Sequence, residues 1–467
     1  MKCILLMTFF YVFAWQAKAG IHLPAFFSDN MVLQQKSNDA IWGTATPHVV
    51  VTIKPSWTHL SFTGHSDAIG KWKIFIPAPP AGGPFTINIS QPGFQLKLKN
   101  VLVGEVWFCS GQSNMEMPVR GFPGQPVNGS QDAIAYASNP QIHVLRVEKD
   151  FSTQPLEDVK GSWTVSSPET IAQISAVAYS FGKYLQEVLH VPVGIINSSW
   201  GGTRIECWMS SDTLKHFSFV DLSKVPEKNP SITPTILYNA MIAPFLGYGI
   251  KGCIWYQGES NRYEPQQYAE LMPALINSWR TQWKVGDFSF YYVQIAPFFY
   301  WDEQNNSAFM REAQLQSVTK TKNTGMVVTL DIGGEKDVHP KEKFTIGKRL
   351  AYWALAKDYE MQTLPYTGPV YKEMRKAGDS IKLYFDHADY GMISADSLVA
   401  GFEIAGEDHI FHSARAKITG TSEMVIWDEQ LKNPVAARYG WKNWFVATLF
   451  STDGLPASSF RTDNWEK

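Results

Sequence analysis

The feature that most limits the possible folds of this chain is a regular alternation of strand-length apolar runs with longer segments of helical period, from Val101 to about Asp358. Continuous apolar runs are typical of parallel strands buried on both faces, and the helical segments supply the crossover connections. The pattern therefore predicts an α/β fold with a five-stranded parallel sheet flanked by helices. The predicted strands are Val101–Ser110, Val193–Ser199, Ile250–Tyr256, Phe288–Ile295 and Met326–Leu330.

The segments on either side of this region have short apolar runs of β type and no helical period. Residues 20–100 contain short alternating runs, such as Trp72–Ile76, separated by turn clusters rich in Pro and Gly. This predicts an N-terminal β-sandwich. After about Gln362 short β-type runs return, for example Ile381–Phe385, so residues 361–467 are predicted to form a C-terminal β-rich module. The α/β domain then occupies residues 101–360.

The first nineteen residues are typical of a secretory signal peptide. Lys2 precedes an apolar run from Cys3 to Trp15, and Ala17-Lys18-Ala19 offers small residues for cleavage before Gly20. The run is short for a membrane span, although an uncleaved anchor is the alternative. We therefore predict an exported protein, periplasmic or secreted, with no membrane span after cleavage.

Charge and cysteine usage narrow the classes of function. The chain has 41 Lys and Arg against 43 Asp and Glu, a formal charge of −2. It therefore lacks the excess of positive charge that nucleic-acid binding requires.

Cys109, Cys207 and Cys253 are too few for a disulfide framework. One pair could close, but each is expected to be a small buried apolar residue. No CxxC or HxxxH spacing occurs near them, so a zinc site is not supported. The acyl-transfer chemistry predicted below needs no metal and no organic cofactor. The sequence does not indicate the oligomeric state.

Open α/β sheets bind ligands at the carboxyl ends of their strands. Ser113 follows the first predicted strand, in Gly111-Gln112-Ser113-Asn114-Met115, where a tight turn opening a helix would expose its hydroxyl as a nucleophile. A simple helix cap is the alternative. Gly201 and Gly202 follow the second strand and could bring a backbone N–H close to an oxyanion, although Gly-Gly is also an ordinary turn.

Two further strand ends carry polar side chains. After the third, Gln257 could donate its amide N–H to an oxyanion and Glu259 could orient neighbouring groups or the substrate, or both could cap the next helix. After the fifth, His339 would be a general base for Ser113, and Asp337 would fix its tautomer. A capping or surface histidine is the alternative. Nucleophile, glycine donor, amide donor and base together predict acyl transfer from an ester.

A series of ordered segments also carries a family resemblance. They are Ser28–Gln34, Val103–Trp107 running into Gly111–Met115, Trp200–Thr203, Leu237–Pro244, Trp255–Glu259, Arg311–Gln314 and Gly454–Ser458. Through these segments, nearly all of the mature chain resembles the sialate O-acetylesterase family within the SGNH-type serine hydrolases. The resemblance implies a flavodoxin-like sheet.

The same resemblance implies roles for individual residues. Ser113 would be the nucleophile and His339 the base. The oxyanion hole would combine the Ser113 backbone N–H, a glycine of the Gly201–Gly202 pair and the Gln257 side chain.

Two positions depart from the wider superfamily pattern. Gln257 stands where Asn is usual and reaches one methylene further. The acid usually lies three residues before the histidine, where this chain has Lys336. Asp337 lies two residues before His339, and Glu335 or a Ser–His dyad remain alternatives to it.

The resemblance implies a serine esterase that hydrolyses O-acetyl esters on sugars, with O-acetylated sialic acids as the leading substrates. Xylan or other plant glycans are the alternative, because relatives acting on them would share the same catalytic residues. A sialate carboxylate would favour an arginine near the site; Arg204, Arg262 and Arg311 are candidates that could equally be structural. In a different class, the chain would be a glycan-binding protein without turnover.

Overall fold

The computed structural model describes residues 20–223, 230–301 and 306–465. The predicted signal peptide, residues 1–19, lies outside the described residues. Across the described ranges, no helix has both the length and the apolar character that a membrane span requires.

The N-terminal module contains strands in two sheets. Period-two alternation builds it: in the segment Lys71–Pro77, Trp72, Ile74 and Ile76 are buried between exposed neighbours. The strands of the module are β1 (Val32–Gln34), β2 (Asn38–Thr44), β3 (Val50–Pro55), β4 (Phe62–His65), β5 (Lys71–Pro77), β6 (Gly82–Gln91) and β7 (Phe94–Gly111). Strands β2 and β5 form one antiparallel sheet, while β4, β3, β6 and β7 pair in that order in the other.

Strand β7 continues from this module into the central sheet. Its first part pairs antiparallel with β6, from Phe94 to Val103. From Leu102 to Gly104 it also pairs parallel with β1. The predicted boundary between residues 100 and 101 therefore lies inside one strand.

The central region alternates strands with helices. Its strands are β8 (Asn139–Arg146), β9 (Trp163–Ser166), β10 (Val193–Ser199), β11 (Gly252–Tyr256), β12 (Ser289–Val293) and β13 (Thr324–Val327). Its helices are α1 (Ser113–Glu116), α2 (Ser130–Ala135), α3 (Pro168–Ile171), α4 (Ala176–Leu189), α5 (Ser211–Leu214), α6 (Pro265–Trp283), α7 (Ala308–Lys320) and α8 (Lys343–Asp358). Short 3₁₀ turns span Ile205–Trp208, Pro230–Ile232, Ala243–Phe245 and Glu259–Asn261, and a π-helical turn spans Tyr238–Ile242.

The central sheet has the order β13-β12-β11-β7-β10-β8-β9. All neighbours are parallel except β8 and β9, so the sheet is mixed and has one parallel strand more than the five predicted. The additional strand is β8. Polar residues such as Gln141 and Arg146 interrupt its apolar run, and the buried His143 inside it donates from Nδ1 to the Asn30 carbonyl at 2.6 Å.

Helices cover both faces of this sheet because successive strand side chains point to opposite sides. In β11, Ile254 and Tyr256 belong to the core beneath α4 and α8, whereas Cys253 and Trp255 belong to the core beneath α6. Cys109, Cys207 and Cys253 are free and buried, as the sequence predicted.

The C-terminal region confirms the predicted β-rich module. Its strands are β14 (Val370–Ala377), β15 (Ser380–Asp386), β16 (Met392–Ile393), β17 (Phe402–Ala405), β18 (Phe411–Ile418), β19 (Glu423–Trp427), β20 (Ala436–Tyr439), β21 (Phe450–Ser451) and β22 (Phe460–Arg461). Seven of them form an antiparallel sheet in the order β14-β15-β19-β18-β17-β20-β22, and β16 pairs with β21.

Candidate active site

Ser113 begins α1, two residues after β7 ends. The turn between them is tight because Gly111 lies against β11: its φ is 140°, and a Cβ there would lie 2.1 Å from the Tyr256 carbonyl oxygen. The Gln112 N–H donates to the same carbonyl at 2.9 Å. Only glycine tolerates this close approach, so the sequence before Ser113 anchors the turn to the neighbouring strand.

His339 lies beside Ser113 although the two residues are 226 positions apart in the chain. The His339 Nε2 is 2.9 Å from the Ser113 Oγ. The other ring nitrogen, Nδ1, is 2.7 Å from the Gln125 Oε1. An amide oxygen only accepts, so Nδ1 carries the proton and Nε2 is free to accept one from the serine hydroxyl.

Asp337 does not occupy the position expected for it. Its Oδ1 accepts from the His339 backbone N–H at 2.9 Å, and Gln125 is the ring partner. The predicted role of Asp337 in fixing the tautomer is therefore wrong, and Glu335, whose side chain is exposed, does not replace it. Gln125 was missed because it lies in an irregular loop, away from every predicted strand end.

Burial lowers the pKa of His339 from its usual value of 6.5, and the nearby Lys343 ammonium lowers it further. The carboxylates of Asp337 and Glu116 oppose this shift. The net effect is that the imidazole stays neutral, as a general base must be, to a lower pH than an exposed histidine.

The glycine turn after β10 packs on the nucleophile. A Cβ added to Gly201 would lie 3.1 Å from the Ser113 Cβ, while Gly202, with φ of 76°, faces open space. The Gly201 N–H donates to the Glu116 Oε2 at 2.5 Å, and the other oxygen of this carboxylate lies 2.6 Å from the Lys149 Nζ. Gly201 thus lies against Ser113, but its N–H is bonded to the Glu116 carboxylate.

Gln257 is fully buried and both of its amide hydrogens are used. Its Nε2 donates to the Thr203 carbonyl at 3.1 Å and to the Asn261 Oδ1 at 2.8 Å. The prediction that this amide donates to an oxyanion is therefore wrong in this arrangement. Gln257 instead ties the end of β11 to the glycine turn.

Glu259 also faces inward. Its Oε1 accepts from the Asn114 Nδ2 at 2.5 Å, and burial raises the pKa of its carboxyl. Asn114 donates as well to the Val338 carbonyl at 3.1 Å, and its Oδ1 accepts from the Lys343 ammonium. Of the two roles predicted for Glu259, these contacts correspond to the orienting of neighbouring groups rather than to a contact with substrate. No sequence motif pointed to the link with Lys343.

The three candidate arginines have internal partners. Arg204 forms ion pairs at 3.1 Å with both Glu206 and Glu264. Arg311 is wholly buried and donates to Ser459 and Ser307 and to the carbonyls of Gly440 and Lys442. The Arg262 guanidinium lies 3.8 Å from the ring centroid of Tyr263 and 4.2 Å from that of Tyr300.

Within the described ranges, no group of three or more His, Cys, Asp or Glu could hold a metal ion.

A serine hydroxyl bonded to an imidazole, at the carboxyl ends of parallel strands and beside a glycine turn, is the arrangement of an α/β serine hydrolase. Residues 103–356 match the family described as carbohydrate esterase, sialic acid-specific acetylesterase, and the chain belongs to this family. It is accordingly a carboxylic ester hydrolase.

Individual relatives agree with this assignment. The human sialate O-acetylesterase is 31% identical over 76% of this chain and 74% of its own length. The mouse sialate O-acetylesterase is 28% identical over 95% and 94%, respectively. Among solved structures, a carbohydrate acetylesterase from Xanthomonas citri superposes with a TM-score of 0.88 at 35% identity, covering 95% of this chain and 100% of that one.

Proposed function

We propose that this protein hydrolyses O-acetyl esters on sugars, with O-acetylated sialic acids as preferred substrates. The observation that carries the proposal is the 2.9 Å contact between the Ser113 Oγ and the His339 Nε2. The names of the relatives support it: those from human and mouse are sialate O-acetylesterases, and that from Xanthomonas citri is a carbohydrate acetylesterase.

In the first step, His339 Nε2 takes the proton of the Ser113 hydroxyl while the serine oxygen attacks the acetyl carbonyl carbon. The imidazole becomes an imidazolium, whose Nδ1–H remains bonded to the Gln125 amide oxygen. The nearby carboxylates of Asp337 and Glu116 favour this positive charge. We infer that they act at a distance, since neither bonds to the ring.

For the oxyanion we propose the backbone N–H groups of Ser113 and Gly202 as donors. Among the described residues the Gly202 N–H has no hydrogen-bond partner, whereas the Gly201 N–H bonds to Glu116. Backbone donors of this kind contribute roughly 3–4 kcal/mol each to the stabilisation of a tetrahedral intermediate.

In the second half of the reaction the ester bond to the sugar breaks. The imidazolium returns its proton to the departing sugar oxygen, leaving the acetyl group on the Ser113 oxygen. His339 then takes a proton from water, whose oxygen attacks the acetyl carbonyl, and acetate is released as the serine recovers its proton.

Acetate release from O-acetylated sialic acid, compared with release from acetylated xylan, tests the proposal. We expect kcat/KM for the sialic acid to be higher by at least about tenfold, a difference that one or two specific contacts provide. The matched control is the Ser113→Ala protein, which should release acetate from neither. A preference for xylan would establish the alternative substrate class, and glycan binding without acetate release would establish the binding protein.

We also propose export through residues 1–19, on the strength of the Lys2 charge, the apolar run and the small residues before Gly20. N-terminal sequencing of the protein recovered outside the cytoplasm should begin at Gly20. An intact Met1 on membrane-bound protein would instead indicate the uncleaved anchor.

A further inference from the structure

Lys343 is a charged side chain with no access to water. It is the first residue of α8, and its side chain is fully buried beneath the nucleophile turn. Its ammonium donates to the Asn114 Oδ1 and lies 5.5 Å from the ring centroid of Tyr256. Burying a lysine is unfavourable unless its charge is compensated, and the chemistry proposed above makes no use of this group.

Asn114 connects Lys343 to the two halves of the active site. It directly follows Ser113 on α1, and its Nδ2 donates to the Glu259 Oε1 at 2.5 Å and to the Val338 carbonyl at 3.1 Å. Val338 immediately precedes His339. A single amide therefore holds together the nucleophile turn, the turn after β11, the start of α8 and the segment that carries the base.

We propose that Lys343 is a positioning residue for His339: through Asn114 it holds the Val338–His339 segment against Ser113, and its positive charge opposes protonation of the imidazole. The proposal rests on the proposed function, in which neutral His339 is the general base. It adds a control on the lowest pH at which the esterase works.

The charges around His339 support this role. The imidazole faces the Ser113 hydroxyl and the Glu116 carboxylate from α1, Gln125 and the Phe122 ring from the loop that follows, Asp337 from its own segment, and Lys343 from α8. Of these groups, Lys343 is the cation. It lowers the pKa of His339, whereas Asp337 and Glu116 raise it.

Lys343 must itself be charged when His339 titrates. The groups facing it are the Asn114 amide, the Tyr256 ring, and the carboxylates of Glu259 and Asp337. Burial lowers the pKa of Lys343 to about 7, and the two carboxylates oppose this shift. The ammonium therefore keeps most of its charge below pH 6.5, the range in which it acts on the imidazole.

The test is the pH dependence of kcat/KM for an aryl acetate, which reports the protonation of the free enzyme. In Lys343→Met the acid limb should move to higher pH by roughly one unit, because the opposing charge is gone. Lys343→Arg keeps the charge, so its acid limb should stay within about 0.3 unit of wild type, well below one pKa unit, even if the altered bridge to Asn114 lowers kcat.

The matched control is Lys341→Met, which removes an exposed lysine two residues earlier on the same segment and should leave the acid limb in place. An acid limb that is unmoved, or moved to lower pH, in Lys343→Met would overturn the proposal.

If the methionine variant fails to fold, Lys343→Gln takes its place, because it removes the charge and keeps a polar group beside Asn114. The C2 proton of His339, assigned by its absence from the spectrum of His339→Gln, should titrate in NMR at a higher pH in Lys343→Gln than in the wild-type protein. An equal or lower midpoint in Lys343→Gln would refute the effect of Lys343. This titration does not depend on turnover, so failure of the proposed function appears separately, as aryl acetate hydrolysis that survives in His339→Gln.

Discussion

The carboxyl ends of β7 and β11 lie side by side in the sheet, and both lead into turns rich in polar residues, yet they differ in what those residues face. After β7, the Ser113 hydroxyl meets an imidazole in a half-buried position. After β11, the Gln257 amide is fully buried and bonded to Thr203 and Asn261. The shared topology brings both turns to the site, but the hydrogen-bond partners decide which one is available to a substrate.

The difference follows from the satisfaction of buried polar groups. A buried amide donor without a partner raises the free energy of the folded state by about 1–3 kcal/mol. The Gln257 Nε2 is accordingly bonded to its neighbours, whereas the Gln257 Oε1 has no hydrogen-bond partner among the described residues. A hydroxyl at the start of a short helix has no such restraint and can turn towards a base. Each of the predictions below tests this division between a reactive turn and a structural one.

The largest effect should come from the reactive turn. His339→Gln removes the proton acceptor of Ser113, and we expect kcat for an aryl acetate to fall by at least ~10³-fold. Steady-state kinetics measure the loss, and circular dichroism should show an unchanged fold. A residual rate within tenfold of wild type would mean that the turn after β7 does not carry the reactive serine–histidine pair.

A smaller loss is expected at Gln125, which fixes the imidazole from the other side. Gln125→Ala should lower kcat by roughly 10–100-fold, since the ring loses the acceptor that orients it. The matched control is Asp337→Asn, which preserves an acceptor for the His339 backbone N–H and should lower kcat by less than about tenfold. A larger loss in Asp337→Asn than in Gln125→Ala would restore Asp337 as the orienting group.

The structural turn should respond in stability rather than in rate. Gln257→Leu leaves the Thr203 carbonyl without a donor and removes one of the two donors to the Asn261 Oδ1, which still accepts from the Ile205 N–H. We expect the free energy of unfolding to fall by about 1–3 kcal/mol. Denaturant titration measures this change, and kcat of the folded fraction should fall by less than about tenfold. A loss of ~10²-fold or more in kcat with unchanged stability would show that Gln257 is an oxyanion donor after all.

The smallest effect concerns pH. The pKa of His339 is lowered by burial and by Lys343, so the neutral base persists as the pH falls below 6.5. The activity should therefore be lost only when the pH falls through this lowered pKa, and the acid limb of kcat/KM should have its midpoint below 6.5. A midpoint above that value would contradict the burial of the imidazole.

The features that could be predicted from the sequence are those set by local pattern. Apolar runs predicted five of the strands in the central sheet, and the strand ends predicted that Ser113 and His339 would meet. Strand β8 was not predicted because its polar residues have distant partners, as the His143 Nδ1 has in the Asn30 carbonyl. Local sequence does not contain such a partner.

The same reason explains what was missed in the site. Gln125 reaches His339 across 214 positions of the chain, and Lys343 reaches Asn114 across 229. Asp337 was placed by its spacing from His339, but the local backbone turn directs its carboxylate to the N–H of that residue. Spacing fixes which residues are near, whereas side-chain direction depends on the packing of several segments at once.

Strand β7 has a consequence for how such a chain could be rearranged during evolution. Residues 94–111 form one strand, whose first part pairs with β6 and whose second part pairs with β11. The N-terminal module therefore cannot be exchanged as an independent domain. A recombination event that cut the gene near codon 100 would sever a strand and leave a row of unpaired backbone groups in both products. Successful exchange would have to carry the nucleophile along with the module that precedes it.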